Sequence, residues 1–594
     1  MLPRFATPTQ GPATSSFARS WAQFALPALV LVRALGLTGM PALRVALVIV
    51  FALAPSLALL RARLQKPRLK EIAYVSDVEG NLAYFNRWVE HSRVVRYKAA
   101  APDELEFAHD DAHFVYGGDV VDRGEGNLRL LKRLAKFKHD FPKRVHLLVG
   151  NRDLNKLRLS AELGPVDLAR HHSAIPRPHW DPDAPTLEEY LQQLAAKPGA
   201  PSPEQLDTKA ERLRYYYLHT LGCPQTFALR RKEMALIEGR DPASISDDEI
   251  VEAVRGDVLP GGAMRAYLEC AEVAVVLGNT LFVHGAIDAL TCGVVPADRT
   301  PFELPESPPP VRIIEGVREW AAEMNAFLLR GLKDHAAHPE WDAPRKSRGG
   351  QALIALQNRQ AMWGRSIISN AYCDGGAITS KAAARVRPEE LKKAETDSLA
   401  FSNVCSDPRD APTARWLNDG GVHRCIVGHK PSGDSPAVLA SRHTGVEIIS
   451  ADTSYADLKA PDGRGGSVAC VLLRGPSLSE TAAHIYGVLA DGRRHEATLA
   501  TLGGRAHGTG GDPHMGDELE GGWWVKARLV GESGGEGGSE GGGGGGDGEG
   551  GGGGGVRGDL EAGGGARYVC CRGEGRKSEY RELSAEELAR TPRA

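Results

Sequence analysis

The chain is expected to adopt an α/β fold, and three observations say so. Apolar runs of β type recur at 72–77, 113–119, 144–150, 273–284 and 423–428. Each stops abruptly at a carboxylate, an amide or an imidazole, in most cases beside a glycine. Between them lie long stretches whose apolar residues fall three and four apart, the period of a helix packed on one face. A strand that feeds a tight turn leaves the next side chain at the carboxyl edge of its sheet, where open α/β sheets hold ligands.

Taken in order, the first run is Tyr74-Val75-Ser76-Asp77-Val78-Glu79-Gly80-Asn81, which delivers Asp77 and Glu79. The second, Val115-Tyr116-Gly117-Gly118-Asp119-Val120-Val121-Asp122-Arg123-Gly124, delivers Asp119, Asp122 and Arg123. The third, Leu147-Leu148-Val149-Gly150-Asn151-Arg152-Asp153, delivers Asn151 and Arg152. An insertion at about 154–271 then reads as helical, with Leu187 and Leu191 and the stretch 210–221 in helical register. Gly278-Asn279 between two β runs is a hairpin turn, so His284 ends a returning strand. A second helical insertion, at about 300–400, opens on the proline-rich 301–310 and has its best helices at 317–332 and 351–369. The fifth run, Cys425-Ile426-Val427-Gly428-His429, delivers His429, and further β runs follow at 445–451 and 467–473. Asp452 ends the first of these and is placed to brace a ligating histidine. His113, His146 and His423 precede strand ends and read as structural.

Taken singly, an Asp or Asn after glycine is a frequent turn residue, and a lone His a core or edge residue. Two aspartates, an asparagine and two histidines on five such edges are instead a donor set for a hard divalent cation.

Composition narrows the classes further. The chain is long enough for one large core, and 42% hydrophobic with 25% charged residues is ordinary for a globular protein. Net charge is −3, unevenly spread: residues 1–70 hold nine Lys or Arg and no acid, which leaves the remainder at about −12 by count. A body so acidic is a poor partner for nucleic acid, and none is expected. Nine scattered cysteines without a CxxC pair indicate neither a disulfide framework nor a structural zinc site. Residues 1–70 form a targeting or membrane-anchor segment. Their acid-free, Arg-bearing composition suits an organellar transit peptide, whereas the apolar runs at 24–32 and 45–60 suit membrane association. At the other end, 506–594 is expected as a β-hairpin extension interrupted by a disordered loop at 531–566, where 534–565 is mostly glycine.

The ordered set of motifs resembles the calcineurin-like metallophosphoesterase superfamily, and Gly118-Asp119-Val120-Val121-Asp122-Arg123-Gly124 is similar to the form in its phosphoprotein phosphatase branch. The likeness runs from 71 to about 455 within a domain at 71–505. It implies a metallophosphatase-type β-sandwich flanked by helices (αββα), here carrying the two helical insertions. It also implies two divalent metal ions, with Mn favoured and Mg, Fe or Zn as alternatives. One ion would take Asp119, Asn151, His284 and His429; the other would take Asp77, Glu79 and the bridging Asp119. Three departures stand out: Glu79 replaces the family's His, Arg152 replaces the His held to protonate the leaving oxygen, and Pro431 stands where many members have a further His.

Arginine cannot serve as a general acid, but it can neutralise phosphate charge and pair with Asp122. Arg123 resembles the family's phosphate-contacting Arg, and Arg365 is a second candidate. The implied activity is hydrolysis of a phosphomonoester, on a small molecule or a phosphoprotein, by metal-activated water. Two alternatives follow: a metallophosphatase fold kept as a weakly active or inactive binding module, and a phosphodiesterase or nucleotide phosphatase.

Overall fold

Strand β1 (Lys70–Val75) shows why the sequence folds as it does: Ile72 and Tyr74 point one way, Ala73 and Val75 the other, and all four are buried. A strand apolar on both faces must be covered on both. The computed structural model describes residues 69–178, 183–285, 287, 291–299, 311–356, 411–440, 445–453, 466–531, 565–574 and 577–593. The candidate anchor at 24–60, Arg365 and the glycine-rich tract lie outside these residues. The elements below all belong to the unit Leu69–Ala594.

After β1 a helix, Leu82–His91, begins where the Asn81 side chain accepts the Tyr84 amide at 3.1 Å. A hairpin of β2 (Val95–Lys98) and β3 (Ala101–Phe107) leads to β4 (Ala112–Tyr116), the helix Asn127–Asp140 and β5 (Val145–Leu147). The insertion that follows is helical as expected. It includes Leu187–Ala195, Thr226–Glu238 and Asp247–Asp257, and its own core is built on Leu187, Leu191, Leu213, Tyr215 and Ile250. The stretch at 210–221 is not one α-helix: Lys209–Tyr215 passes into a wider turn of π type at Tyr216–Thr220.

Strands β6 (Ala274–Leu277) and β7 (Thr280–Val283) pair antiparallel around Gly278-Asn279. Two short strands, β8 (Val294–Val295) and β9 (Arg312–Ile313), precede the helix Val317–Ala337, which runs past its expected end. Of the helix expected at 351–369, Gln351–Leu356 is described. The second half of the chain is mostly strand: β10 (Arg424–Pro431), β11 (Ala437–Ala440), β12 (Glu447–Asp452), β13 (Val468–Ser477), β14 (Glu480–Val488) and β15 (Arg494–Thr498).

Two sheets result, with strand orders β15-β14-β13-β1-β4-β5 and β11-β12-β10-β7-β6. Ile72, Tyr74, Val115, Val471 and Ile485 of the first pack in one apolar cluster with Val275, Phe282, Ile426 and Ile449 of the second. The Tyr74 and Phe282 rings meet across it with centroids 6.0 Å apart. The opposite strand faces carry Ala73, Val75, Phe114, Val283 and Val427. These join a second cluster with Phe85, Trp88, Leu134, Trp320 and Met324 of the helices. The fold is therefore α/β, with two packed sheets flanked by helices.

The tail holds more than the expected hairpin. β17 (Trp523–Arg528) pairs antiparallel with β18 (Arg567–Glu574), but β16 (Glu518–Leu519) and β19 (Lys577–Ser584) extend them to a four-stranded sheet. In β19 the sequence Lys-Ser-Glu-Tyr-Arg-Glu-Leu-Ser hides the strand, because an edge strand tolerates charge where a central one does not. The seven described cysteines are free thiols. Among the described residues no helix is long and apolar enough to cross a membrane.

Candidate metal centre

Parallel pairing explains why distant residues meet. β1, β4 and β5 run parallel in the first sheet, and β7, β10 and β12 in the second. Each trio therefore ends at a single sheet edge, and backbone bonds join the loops that leave it. The Asp77 amide donates to Gly118 at 3.0 Å, Glu79 to Asp119 at 3.0 Å, and Gly428 to His284 at 2.8 Å. The turns are sharp enough to strain the chain. Asp77, Glu79, Asp119, Asp122 and His429 adopt φ of 54°, 49°, 53°, 128° and 64°, and the only other described non-glycine residue with positive φ is Arg345. Such backbone costs on the order of 1–3 kcal/mol per residue and gathers where function requires it.

At this edge Asp119, His284 and His429 offer ligand atoms that all lie within 4.8 Å of one another. Asn151 joins them: its Oδ1 is 3.1 Å from His284 Nε2 and 2.8 Å from His429 Nδ1. The His284 tautomer follows from its other nitrogen. Nδ1 is 2.8 Å from the Gly117 carbonyl, to which only an N–H can donate, so Nε2 is the nitrogen turned inward. It faces Asp119 Oδ1 at 3.5 Å. Oxygen and nitrogen acceptors converging in a buried place need a cation among them, a proton on Nε2 or a metal ion in its stead. Burial opposes charge on His284, yet Asp119 and Asp77 outweigh it and push the imidazole up to about 10. Burial likewise raises Asp119, but His284, Arg152 and His429 hold its carboxyl below the usual carboxylate range. Two imidazoles, an amide oxygen and a carboxylate fit a divalent cation at this point.

The second set behaves differently. Burial, and then the Asp452 charge, raise Asp77. Both Asp77 oxygens lie 3.1 Å from the His429 amide, and Ser76 Oγ also donates to the carboxylate. Glu79 Oε1 sits 2.7 Å from Arg152 Nε, and its Oε2 3.4 Å from Arg123 Nε. Arg152 pairs with Asp122 at 3.1 Å, as the sequence suggested, and also donates to the Leu221 carbonyl at 3.2 Å. Its Nε lies 3.7 Å from Asp119 Oδ2. An ion bound about 2.1 Å from Glu79 Oε1 would lie within about 5 Å of that guanidinium. At an effective dielectric near 20, their repulsion would be on the order of 7 kcal/mol. The second position does not fit a metal as the first does.

Two residues the sequence reading passed over complete the framework. Asp153, fully buried, accepts the amides of Asp119 at 3.0 Å, Val120 at 2.9 Å and Gly150 at 2.8 Å, so one carboxylate ties the two loops that carry Asp119 and Asn151. Lys156 donates to Asp122 at 2.8 Å. The signal for Asp153 was its place directly after the Asn151-Arg152 pair; Lys156 had none. Asp452 holds Ser432 through its backbone carbonyl, at 2.8 Å from the amide. His113, His146 and His423 lie elsewhere: the first two rings stack with centroids 6.3 Å apart, His146 contacts Glu272 at 3.0 Å, and His423 contacts Asn418 at 2.8 Å.

Residues 70–219 match the family described as calcineurin-like phosphoesterase. Among solved structures, a cold-active protein-tyrosine phosphatase of a psychrophilic Shewanella species is 14% identical, with TM-score 0.31, over 72% of this chain and 80% of its own. A protein serine/threonine phosphatase from Saccharomyces cerevisiae is 10% identical, with TM-score 0.25, over 69% of this chain and 74% of its own. Likenesses this loose bear on neither substrate nor mechanism. No curated protein matches the chain.

Proposed function

We propose that this calcineurin-like phosphoesterase domain is a metal-dependent phosphomonoesterase, acting on a phosphorylated small molecule or protein. The observation that carries the reading is the convergence of Asp119, Asn151, His284 and His429 at the joined edges of the two sheets. A divalent cation held by these four residues would supply Lewis-acid polarisation of a phosphoryl oxygen and lower the pKa of a water. Manganese suits the mixed carboxylate, amide and imidazole donors and is the natural probe.

The chain's own residues do the rest. Arg123, a quarter exposed, presents a cation beside the centre for the phosphate oxygens. Arg152 carries a permanent charge, and its environment raises its pKa further, so it yields no proton to a leaving group. Substrates that leave without protonation, such as aryl phosphates, are therefore the ones turned over well. Diesters and nucleotides remain alternatives to be scored on the same panel.

The test is hydrolysis of p-nitrophenyl phosphate and of an alkyl phosphate with Mn²⁺, each against Asp119→Asn. Activity on the aryl ester at least tenfold above the variant is expected. A second reading, a binding module that holds metal without turnover, is favoured by the burial of Arg152 among Glu79 and Asp122. Bound metal with no activity above Asp119→Asn on any ester would select it and sink the first.

A further inference from the structure

Two of the carboxylates that would hold a second metal ion, Glu79 and Asp119, already face guanidinium groups of the chain itself. Glu79, Asp119 and Asp122 face Arg123, Arg152 and Lys156, three charges of each sign. Glu79 Oε1 lies 2.7 Å from the Arg152 guanidinium, and Oε2 lies 3.4 Å from that of Arg123 without a hydrogen bond. Both Asp77 oxygens are turned to the His429 amide. Arg152 is fixed at both ends: its own amide donates to Asp119 Oδ1 at 2.8 Å, and its guanidinium reaches Glu79, Asp122 and the Leu221 carbonyl. Its side chain is only 14% exposed, as befits a buried ion-pair network and not a solvent-facing clamp. Swinging it out would leave buried Glu79 with only the longer Arg123 contact at 3.4 Å and buried Asp122 with Lys156 alone. Arginine cannot shed its proton to make room for a metal.

We infer that the Arg152 guanidinium stands in the place of a second cation, so that the centre binds a single divalent ion, on Asp119, Asn151, His284 and His429. This rests on the metal-dependent reading above and deepens it. Asp119 then bridges a metal and a guanidinium, and Glu79 is an arginine partner, not a ligand. Phosphate charge would be met by one metal ion and by Arg123, with Arg152 balancing the carboxylates behind them.

Metal content decides the matter without reference to turnover. The full chain, loaded with Mn²⁺ and desalted, is analysed by elemental mass spectrometry and by electron paramagnetic resonance. One ion per chain with the six-line pattern of an isolated Mn²⁺ is expected. Two ions with an exchange-coupled signal would overturn the inference while leaving the metal-dependent reading intact; no ion would overturn both. Arg152→Ala and Arg152→His, checked by circular dichroism for retained folding, should gain a second ion. Folded variants that stay at one ion would show that Arg152 is not what fills the place. Should those variants fail to fold, Glu79→Gln and His284→Ala carry the test. The first should keep its Mn²⁺ affinity within about threefold, and the second should lose roughly 100-fold or more. A large loss in Glu79→Gln would make Glu79 a ligand and overturn the assignment.

Discussion

Asp153 offers the sharpest test of how the centre is held together. Its carboxylate lies between the loop bearing Asp119 and the loop bearing Asn151, is fully buried, and accepts three backbone amides at 2.8–3.0 Å. Asp153→Ala removes the acceptor and leaves three buried N–H groups without a partner. Each orphan costs about 1–3 kcal/mol, and water entering the vacated space recovers part of it. The expected loss is therefore about 3–5 kcal/mol, a large share of the 5–15 kcal/mol that a domain commonly has. Asp153→Asn keeps one oxygen for two of the amides and opposes the third with an NH₂, for a loss of about 1–3 kcal/mol. Urea unfolding of the metal-free chain, followed by tryptophan fluorescence, reads both. Because the two tied loops each carry a ligand, Mn²⁺ affinity should fall in the same order, with Ala worse than Asn. Midpoints within experimental error of wild type for Asp153→Ala would refute the bridging role, and unchanged metal affinity would refute the positioning argument even if stability fell.

Further expectations can be stated together. A Cβ on Gly150 would overlap the Asp119 carboxylate and backbone nitrogen, whereas one on Gly256 meets nothing within 4 Å. Gly150→Ala should lower Mn²⁺ affinity by at least about tenfold, Gly256→Ala should leave it unchanged, and calorimetric titration compares them. Arg123→Ala removes a charge beside the centre and should raise KM for an aryl phosphate by roughly 10- to 100-fold with a smaller change in kcat; an unchanged KM would dismiss Arg123 as the phosphate contact. His335 and His495 are buried, and burial lowers each to about 4. The unfolded chain protonates them near 6.5 while the folded chain resists until about 4, so their contribution is complete above 6.5 and is lost as pH falls toward 4. Each should steepen that loss by up to about 1.4 kcal/mol per pH unit, and His495→Gln should flatten it in unfolding curves measured across pH 4–7.

How much of this was legible beforehand depends on the range of the physics involved. The strand ends at Asp77, Asp119, His284 and His429 could be read because apolar period and glycine turns are written in neighbouring residues. The same holds for the Gly278-Asn279 hairpin and the helices around Leu187 and Val317. β19 could not be read that way, since its pairing with β18 and not its own composition makes it a strand. The turn at Tyr216–Thr220 likewise reflects packing that helical spacing does not encode.

The sequence alone, then, determined which residue types stand at the carboxyl ends of which strands, because side-chain alternation and turn chemistry act over a few bonds. It also showed that Arg152 and Glu79 break the family pattern. Only the tertiary structure decided what those two departures mean together. Residues 73 positions apart meet at 2.7 Å, with Asp122, Lys156 and Arg123 closing the charge balance around them. Electrostatics in a buried site depends on distance and on the dielectric, neither of which is written along the chain.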